Sequence, residues 1–193
     1  VHKETGDAPT FLYGESLGSL IIMHGNSYLD ESIKETIKGV IYASPLIALP
    51  GELPPVKNFI VRLAMFLFPK MKISIKSLAS NQNAQVTSET DHWEQMAKTP
   101  HFVPKYTLRT LGSIEDLVYS SKEVAPRITK PTLILYPGKD LFTRPDQVDK
   151  FFGNLKSKDK KKHLFKESHH LLAFDKEKER LFEIVEQWIN KRL

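Results

Sequence analysis

The tightest constraint on the fold is a rhythm of short β-prone runs, each giving way to a helical pattern. Thr10–Tyr13 (TFLY) is one such run, closed at Gly14. Gly39–Pro45 (GVIYASP) is a second, ended by its own proline. Thr132–Tyr136 (TLILY) is a third, entered from Pro131 and left through Pro137-Gly138. His163–Phe165 lies in a weaker fourth. Helical patterns fall between and after them. Leu20, Ile21, Ile22 and Met23 begin one. Val148, Phe151 and Phe152 share a face of another. Leu181, Ile184, Val185, Trp188 and Ile189 recur at helical spacing near the end. Strand alternating with helix predicts an α/β fold with a mostly parallel sheet.

Between Leu46 and Tyr119 the rhythm breaks. This stretch is punctuated by proline and largely helical, with a polar joint at Ser80–Gln85. It reads as a helical cap inserted between two strands. The expected organisation is a core segment over 1–45, a cap over 46–119 and the rest of the core over 120–193. A chain of 193 residues fits one domain with an inserted subdomain. It is long enough to bury a core without covalent staples. It has no cysteine, which excludes a disulfide scaffold and fits a reducing compartment. A cytoplasmic location is the expectation. No apolar run is long enough to span a bilayer, and the start shows no signal-peptide pattern.

The net charge is +5, and Lys156, Lys158, Lys160, Lys161 and Lys162 supply much of it. A solvated loop ahead of a strand is expected there. No aromatic residues interleave with these lysines, which argues against a base-stacking platform and so against nucleic acid as a partner.

Gly14-Glu15-Ser16-Leu17-Gly18 fits G-x-S-x-G, between a β-run and a helical run. That is the strand–turn–helix setting of a nucleophile elbow. A tight turn is expected to need both glycines, because a β-carbon at Gly14 or Gly18 would crowd the backbone. The turn would present the Ser16 hydroxyl, with the Leu17 amide directed at a developing oxyanion. The alternative is a glycine-rich turn with an idle serine. A nucleophilic serine needs a base, and the base an orienting carboxylate. Asp140 follows the Thr132–Tyr136 run at its carboxyl end, where ligand sites form in open α/β sheets. It could also be a turn or capping aspartate. Asp146 and Asp149 read as first-turn helix residues. His170 lies in Ser168-His169-His170-Leu171, with His169 its competitor by adjacency. Read as metal ligands, the pair lacks a third ligand at fitting spacing. His2, His24, His92, His101 and His163 are expected on the surface or in the core.

Together, GESLGS, PTLILYPGKD and ESHHLLAFDKEKERLFEIVEQWI resemble the α/β-hydrolase superfamily. The closer resemblance is to monoacylglycerol lipases, lysophospholipases and related carboxylesterases. In that family the histidine opens a pattern of the type H-x-L-x-x-[DE]-x-E-x-E. His170 through Glu179 matches it without a gap, which favours His170 over His169. The cap is similar too, in Arg62–Met71 and from His92-Trp93 to Pro100-His101. The resemblance runs from Thr10 to the end. It implies Ser16 as nucleophile, Asp140 and His170 as its triad partners, and Leu17 N–H as one oxyanion donor. It also implies hydrolysis of lipid-like carboxylic esters through an acyl-enzyme, with no metal or organic cofactor. Glu15 stands where many relatives carry histidine. The family's first strands, and the His-Gly loop supplying its second oxyanion amide, precede the nucleophile strand; only Val1–Pro9 stand ahead of Thr10 here. A second reading therefore stays open, a non-catalytic lipid- or protein-binding remnant.

Phe59, Ile60, Leu63, Ala64, Met65, Phe66, Leu67 and Phe68 make an apolar cap helix interrupted by Arg62 and flanked by Lys57, Lys70, Lys72 and Lys76. It would either pack on the core or face a lipid surface as a peripheral membrane contact. Leu63, Phe66 and Leu67 are the expected substrate contacts. An apolar lining suits an acyl chain, because burying each CH₂ contributes about 0.8 kcal/mol.

Overall fold

The computed structural model of the chain describes residues 8–49, 54–74, 85–89 and 91–193. His2, Lys76 and residues 80–84 of the polar joint lie outside the described residues. In chain order, β1 (Thr10–Glu15) leads through Ser16 into α1 (Leu17–Gly25), and a short α2 (Glu31–Thr36) leads into β2 (Ile37–Ala43). Then come α3 (Pro55–Leu67), β3 (Lys72–Ser74), α4 (His92–Lys98), β4 (Lys105–Thr107) and α5 (Leu108–Val124). The chain closes with β5 (Thr132–Pro137), α6 (Pro145–Asn154), β6 (Lys160–Phe165) and α7 (Lys178–Asn190). The main sheet runs β1-β2-β5-β6 with every pair parallel, as the sequence rhythm predicts. A small antiparallel ribbon, β3 with β4, lies apart from it.

Side chains alternate across this sheet because successive residues of a strand face opposite sides. Val40, Tyr42, Ile134 and Tyr136 face one core, which Leu20 and Met23 of α1, Val118 of α5, and Val148 and Phe151 of α6 complete. Ile41, Ala43, Leu133 and Leu135 face the other, covered by Leu181 and Trp188 of α7. Every residue of β5 is buried. A strand covered on both faces must be apolar throughout, which is why TLILYP shows no polar alternation.

The lysine run departs from expectation. Lys160, Lys161 and Lys162 are not in a loop ahead of the strand; they form the first half of β6, an edge strand. Lysines blunt an exposed edge against further pairing. The Lys160 ammonium donates to the Phe152 and Leu155 carbonyls at 2.9 and 2.8 Å, at the C-terminus of α6. Lys162 pairs with Asp149. Both ammonium groups lie over the Phe152 ring.

The expected cap boundary at 119/120 falls inside α5, a continuous helix whose later residues join the core. On α3, Asn58, Val61, Ala64 and Met65 are half-buried, whereas Phe59, Ile60 and Phe66 are 67%, 58% and 81% exposed. Arg62 reaches Glu115 and Asp116 of α5 at 3.4 and 3.6 Å. The helix thus turns its charged link toward the protein and much of its apolar surface outward. Among the described residues, no helix is long and apolar enough to cross a membrane.

Candidate active site

The site stands at the carboxyl ends of the parallel strands. Ser16 occupies the turn between β1 and α1 with φ 52° and ψ −119°. A positive φ is strained for a residue with a β-carbon. Two contacts hold it. The Ser16 amide donates to the Ala43 carbonyl at the end of β2, at 3.0 Å. The buried Ser19 hydroxyl donates to the Gly14 carbonyl at 2.9 Å. Gly14 is needed for close approach, because a β-carbon there would lie 2.5 Å from the Gly18 carbonyl oxygen. Gly18 is not crowded as the motif suggests; a β-carbon there would meet nothing within 4 Å. Leu17 is the first residue of α1, so its amide belongs to the set that has no intrahelical acceptor.

Two loops beyond β5 and β6 carry the other groups, and they are tied together. Gly138 N–H donates to Phe165 O at 2.7 Å, and Lys139 N–H donates to Ser168 O at 3.1 Å. A β-carbon on Gly138 would come within 2.7 Å of the Lys166 carbonyl oxygen. Asp140 Oδ1 accepts the Phe142 N–H at 2.8 Å, so this aspartate does build its own turn. It also faces His170, whose Nδ1 is 3.0 and 3.1 Å from the two carboxylate oxygens. His170 Nε2 is 2.8 Å from the Ser16 hydroxyl. Both partners of the His170–Asp140 pair are buried. Ser16, His170 and Asp140 thus form one continuous hydrogen-bonded chain, drawn from positions far apart in sequence.

The competing residues have other partners. His169 Nδ1 is 3.0 Å from Asp175. Asp146 pairs with Arg144 and Asp149 with Lys162. His24 bonds the Leu117 carbonyl on α5 at 3.0 Å. His92 is buried with its ring near Phe174. His101 is exposed. His163 is half-buried, and burial, then Arg180 and Lys161, hold its imidazole below the usual range. Leu63, Phe66 and Leu67 sit exposed on α3, with Phe66 lining a shallow cleft beside Leu108 and Gly112. A larger cavity of about 390 Å³ lies between Ile47 and Leu49 after β2, Val118 and Ser121 of α5, and Gln147 of α6.

Three further residues stand close to the triad. One is Ser19. The second is Phe142, whose ring packs edge-on against His170. The third is Glu15. Burial raises its carboxyl above the usual range, against lowering by the nearby His170 and by the amides of Ala173 and Leu172. Its Oε1 is buried without a hydrogen-bond partner among the described residues. Only the departure at the motif's second position pointed to Glu15.

With this geometry in view, the family comparison is decisive. The model of the family described as Serine aminopeptidase, S33 (Hydrolase_4) matches residues 1–177. The chain belongs to this family. It is 26% identical over 191 residues to an uncharacterized abhydrolase domain-containing protein of Dictyostelium discoideum, covering 97% of this chain and 19% of that protein. It is 20% identical over 172 residues to a carboxylesterase of Bacillus subtilis, covering 88% of this chain and 70% of the relative. A crystal structure of a monoacylglycerol lipase of Paleococcus ferrophilus superposes with a TM-score of 0.78 at 22% identity, covering 99% of this chain and 71% of that one. The chain thus spans about a fifth of one of these curated relatives and most of the other. At such identity the structural likeness establishes the α/β-hydrolase fold.

Proposed function

We propose that this chain supplies the triad of a serine hydrolase that cleaves carboxylic esters of lipid-like substrates. The observation that carries the reading is the Ser16–His170–Asp140 chain, with contacts of 2.8 and 3.0 Å. Ser16 attacks the ester carbonyl while His170 Nε2 takes its proton. Asp140 holds the Nδ1–H tautomer and stabilises the imidazolium that forms. The Leu17 amide binds the oxyanion. His170 returns the proton to the leaving alcohol, and water then cleaves the acyl-enzyme. The chemistry draws on no metal or organic cofactor.

The substrate class rests on the relatives, whose names include a monoacylglycerol lipase and a carboxylesterase, and on Ile47, Leu49 and Val118 in the cavity beside α5, which Lys122, Arg144 and Gln147 also line. Leu63, Phe66 and Leu67 would meet the acyl chain as it leaves a lipid surface. Exposed Phe59, Ile60 and Phe66, with Lys57, Lys70 and Lys72 nearby, support a peripheral contact with an anionic bilayer.

A fluorophosphonate probe tests the reaction class. Labelling of the folded chain at Ser16, abolished in Ser16→Ala, is the expected result. A folded chain that takes no label would overturn the reading and leave the binding-remnant alternative. Hydrolysis rates across p-nitrophenyl esters of rising chain length then report the acyl preference.

A further inference from the structure

A second carboxylate is buried in the loop that carries His170. The Asp175 side chain is fully buried. Its Oδ2 accepts the His169 backbone N–H at 2.8 Å and lies 3.0 Å from His169 Nδ1. Its Oδ1 accepts the Lys176 N–H at 2.7 Å and the Ser88 hydroxyl at 2.5 Å. Ser88 is 87 residues away in sequence, within the stretch read as the cap. Its neighbours bind the same loop. Leu171 N–H donates to Val86 O at 2.9 Å, and the Thr87 hydroxyl donates to Phe174 O at 2.5 Å.

His170 sits between two residues whose amides are both held from outside its own peptide units, His169 by Asp175 and Leu171 by Val86. Its carbonyl accepts the Leu172 N–H at 3.1 Å. The imidazole must satisfy Ser16 on one nitrogen and Asp140 on the other, so small rotations of this loop break one contact or the other. An aspartate can serve four donors because an ionised carboxylate is acceptor-only. Asparagine in its place would point an amide donor at donors.

We propose that Asp175 is a positioning residue for His170, and that Ser88 and Val86 couple the cap to the same loop. This rests on the serine hydrolase reading above. The cap then contributes to the chemical step as well as to substrate binding.

The test compares Ser88→Ala, Ser88→Thr and Asp175→Asn with the wild-type chain. For each, kcat and KM are measured on a short soluble ester, together with thermal melting and the downfield proton resonance of the His170–Asp140 hydrogen bond. Misplacement by 1 Å costs about 100-fold in rate, so a partly loosened loop in Ser88→Ala should lower kcat about 10-fold. KM should stay within about twofold, threonine should restore kcat, and the resonance should broaden or shift in Ser88→Ala and Asp175→Asn but not in Ser88→Thr. A folded Ser88→Ala with unchanged kcat and an unmoved resonance would overturn the proposal, as would a change in KM alone. If Asp175→Asn fails to fold, the two Ser88 variants decide. If the wild-type chain itself neither labels nor turns over, the reaction assignment falls, and the resonance alone decides whether Ser88 positions the imidazole.

Discussion

The Phe142 ring meets the His170 imidazole edge-on, with centroids 4.6 Å apart and planes at 64°, while the Phe142 amide donates to Asp140 Oδ1 at 2.8 Å. One residue thus braces the base from the side and fixes the acid from behind. The two contacts are separable, because only the first uses the side chain. Phe142→Ala removes a ring contact worth about 1 kcal/mol and keeps the amide. It should leave Ser16 labelling intact but slower, and lower kcat several-fold. Phe142→Leu should recover part of the rate. Equal labelling rates in wild type and Phe142→Ala would show that the ring does not brace the base.

Glu15 yields a prediction with two opposite signs. Burial raises its folded-state pKa above the ordinary 4.5, so the fold holds its proton more tightly than the unfolded chain does. Wild-type stability therefore falls as pH rises through the window between 4.5 and that raised value. Glu15→Gln has no such loss and should melt higher at neutral pH. The same carboxylate faces His170, and its charge favours the imidazolium formed in the transition state. Glu15→Gln should lower kcat and move the acid limb of kcat/KM to lower pH. A variant that is more stable with an unmoved limb would assign Glu15 to the turn alone.

The parallel sheet was legible because each buried strand is an unbroken apolar run between turn residues. Ser16 and Asp140 stood out because glycine or proline turns flank each of them, whereas Ser168-His169-His170-Leu171 carries no such signature and only the family resemblance favoured His170 over His169. Other parts had no such signature. Lys160–Lys162 read as a loop because lysine is rare in strands, yet an edge strand tolerates it. The partner of Ser88 is 87 residues away, and no local pattern announces a hydrogen bond at that range. Glu15 stood out in the motif, but the Leu172 and Ala173 amides that act on its carboxyl come near it only in the folded loop.

The two glycines of the elbow should behave differently, although the motif treats them alike. A β-carbon on Gly14 would meet Gly18 O at 2.5 Å and Ile22 Cδ1 at 2.7 Å, whereas one on Gly18 meets open space. Gly14→Ala must move the backbone of α1 and should cost about 1–3 kcal/mol, with loss of labelling. Gly18→Ala should fold normally, and its helical position gains about 0.5–1 kcal/mol from the better helix former. Melting curves of the two variants check this. Equal destabilisation would mean that Gly18 is constrained by something other than space.

Asp175 should mark its own acid transition. Burial raises its pKa, but the Ser88 hydroxyl, the His169 and Lys176 amides and the His169 ring together bring it below the ordinary 3.8. A depressed folded-state pKa stabilises the fold above 3.8, and the contribution is lost as pH falls through the lower, folded-state value. Urea midpoints of wild type and Asp175→Asn should therefore differ most at neutral pH and converge as the solution is acidified below 3.8. A gap independent of pH would show that shape, not charge, is what Asp175 contributes.

The outward face of α3 gives the last expectation. Phe59 and Ile60 are 67% and 58% exposed, and Arg62 is committed to Glu115 and Asp116 on the inner side. If this face enters a lipid boundary, its aromatic side chains hold the apolar part and Lys57, Lys70 and Lys72 the charged part. Each lysine near an anionic surface contributes about 1 kcal/mol and is screened by salt, whereas the apolar term is not. Phe59→Asp should sharply reduce co-sedimentation with phosphatidylserine vesicles and leave hydrolysis of a short soluble ester unchanged. Raising the salt should weaken wild-type binding in part. Replacing the three lysines by glutamine should remove that salt dependence and retain a weaker association. Vesicle binding unaltered by Phe59→Asp would place the contact on another surface, and α3 would then need a protein partner to cover it.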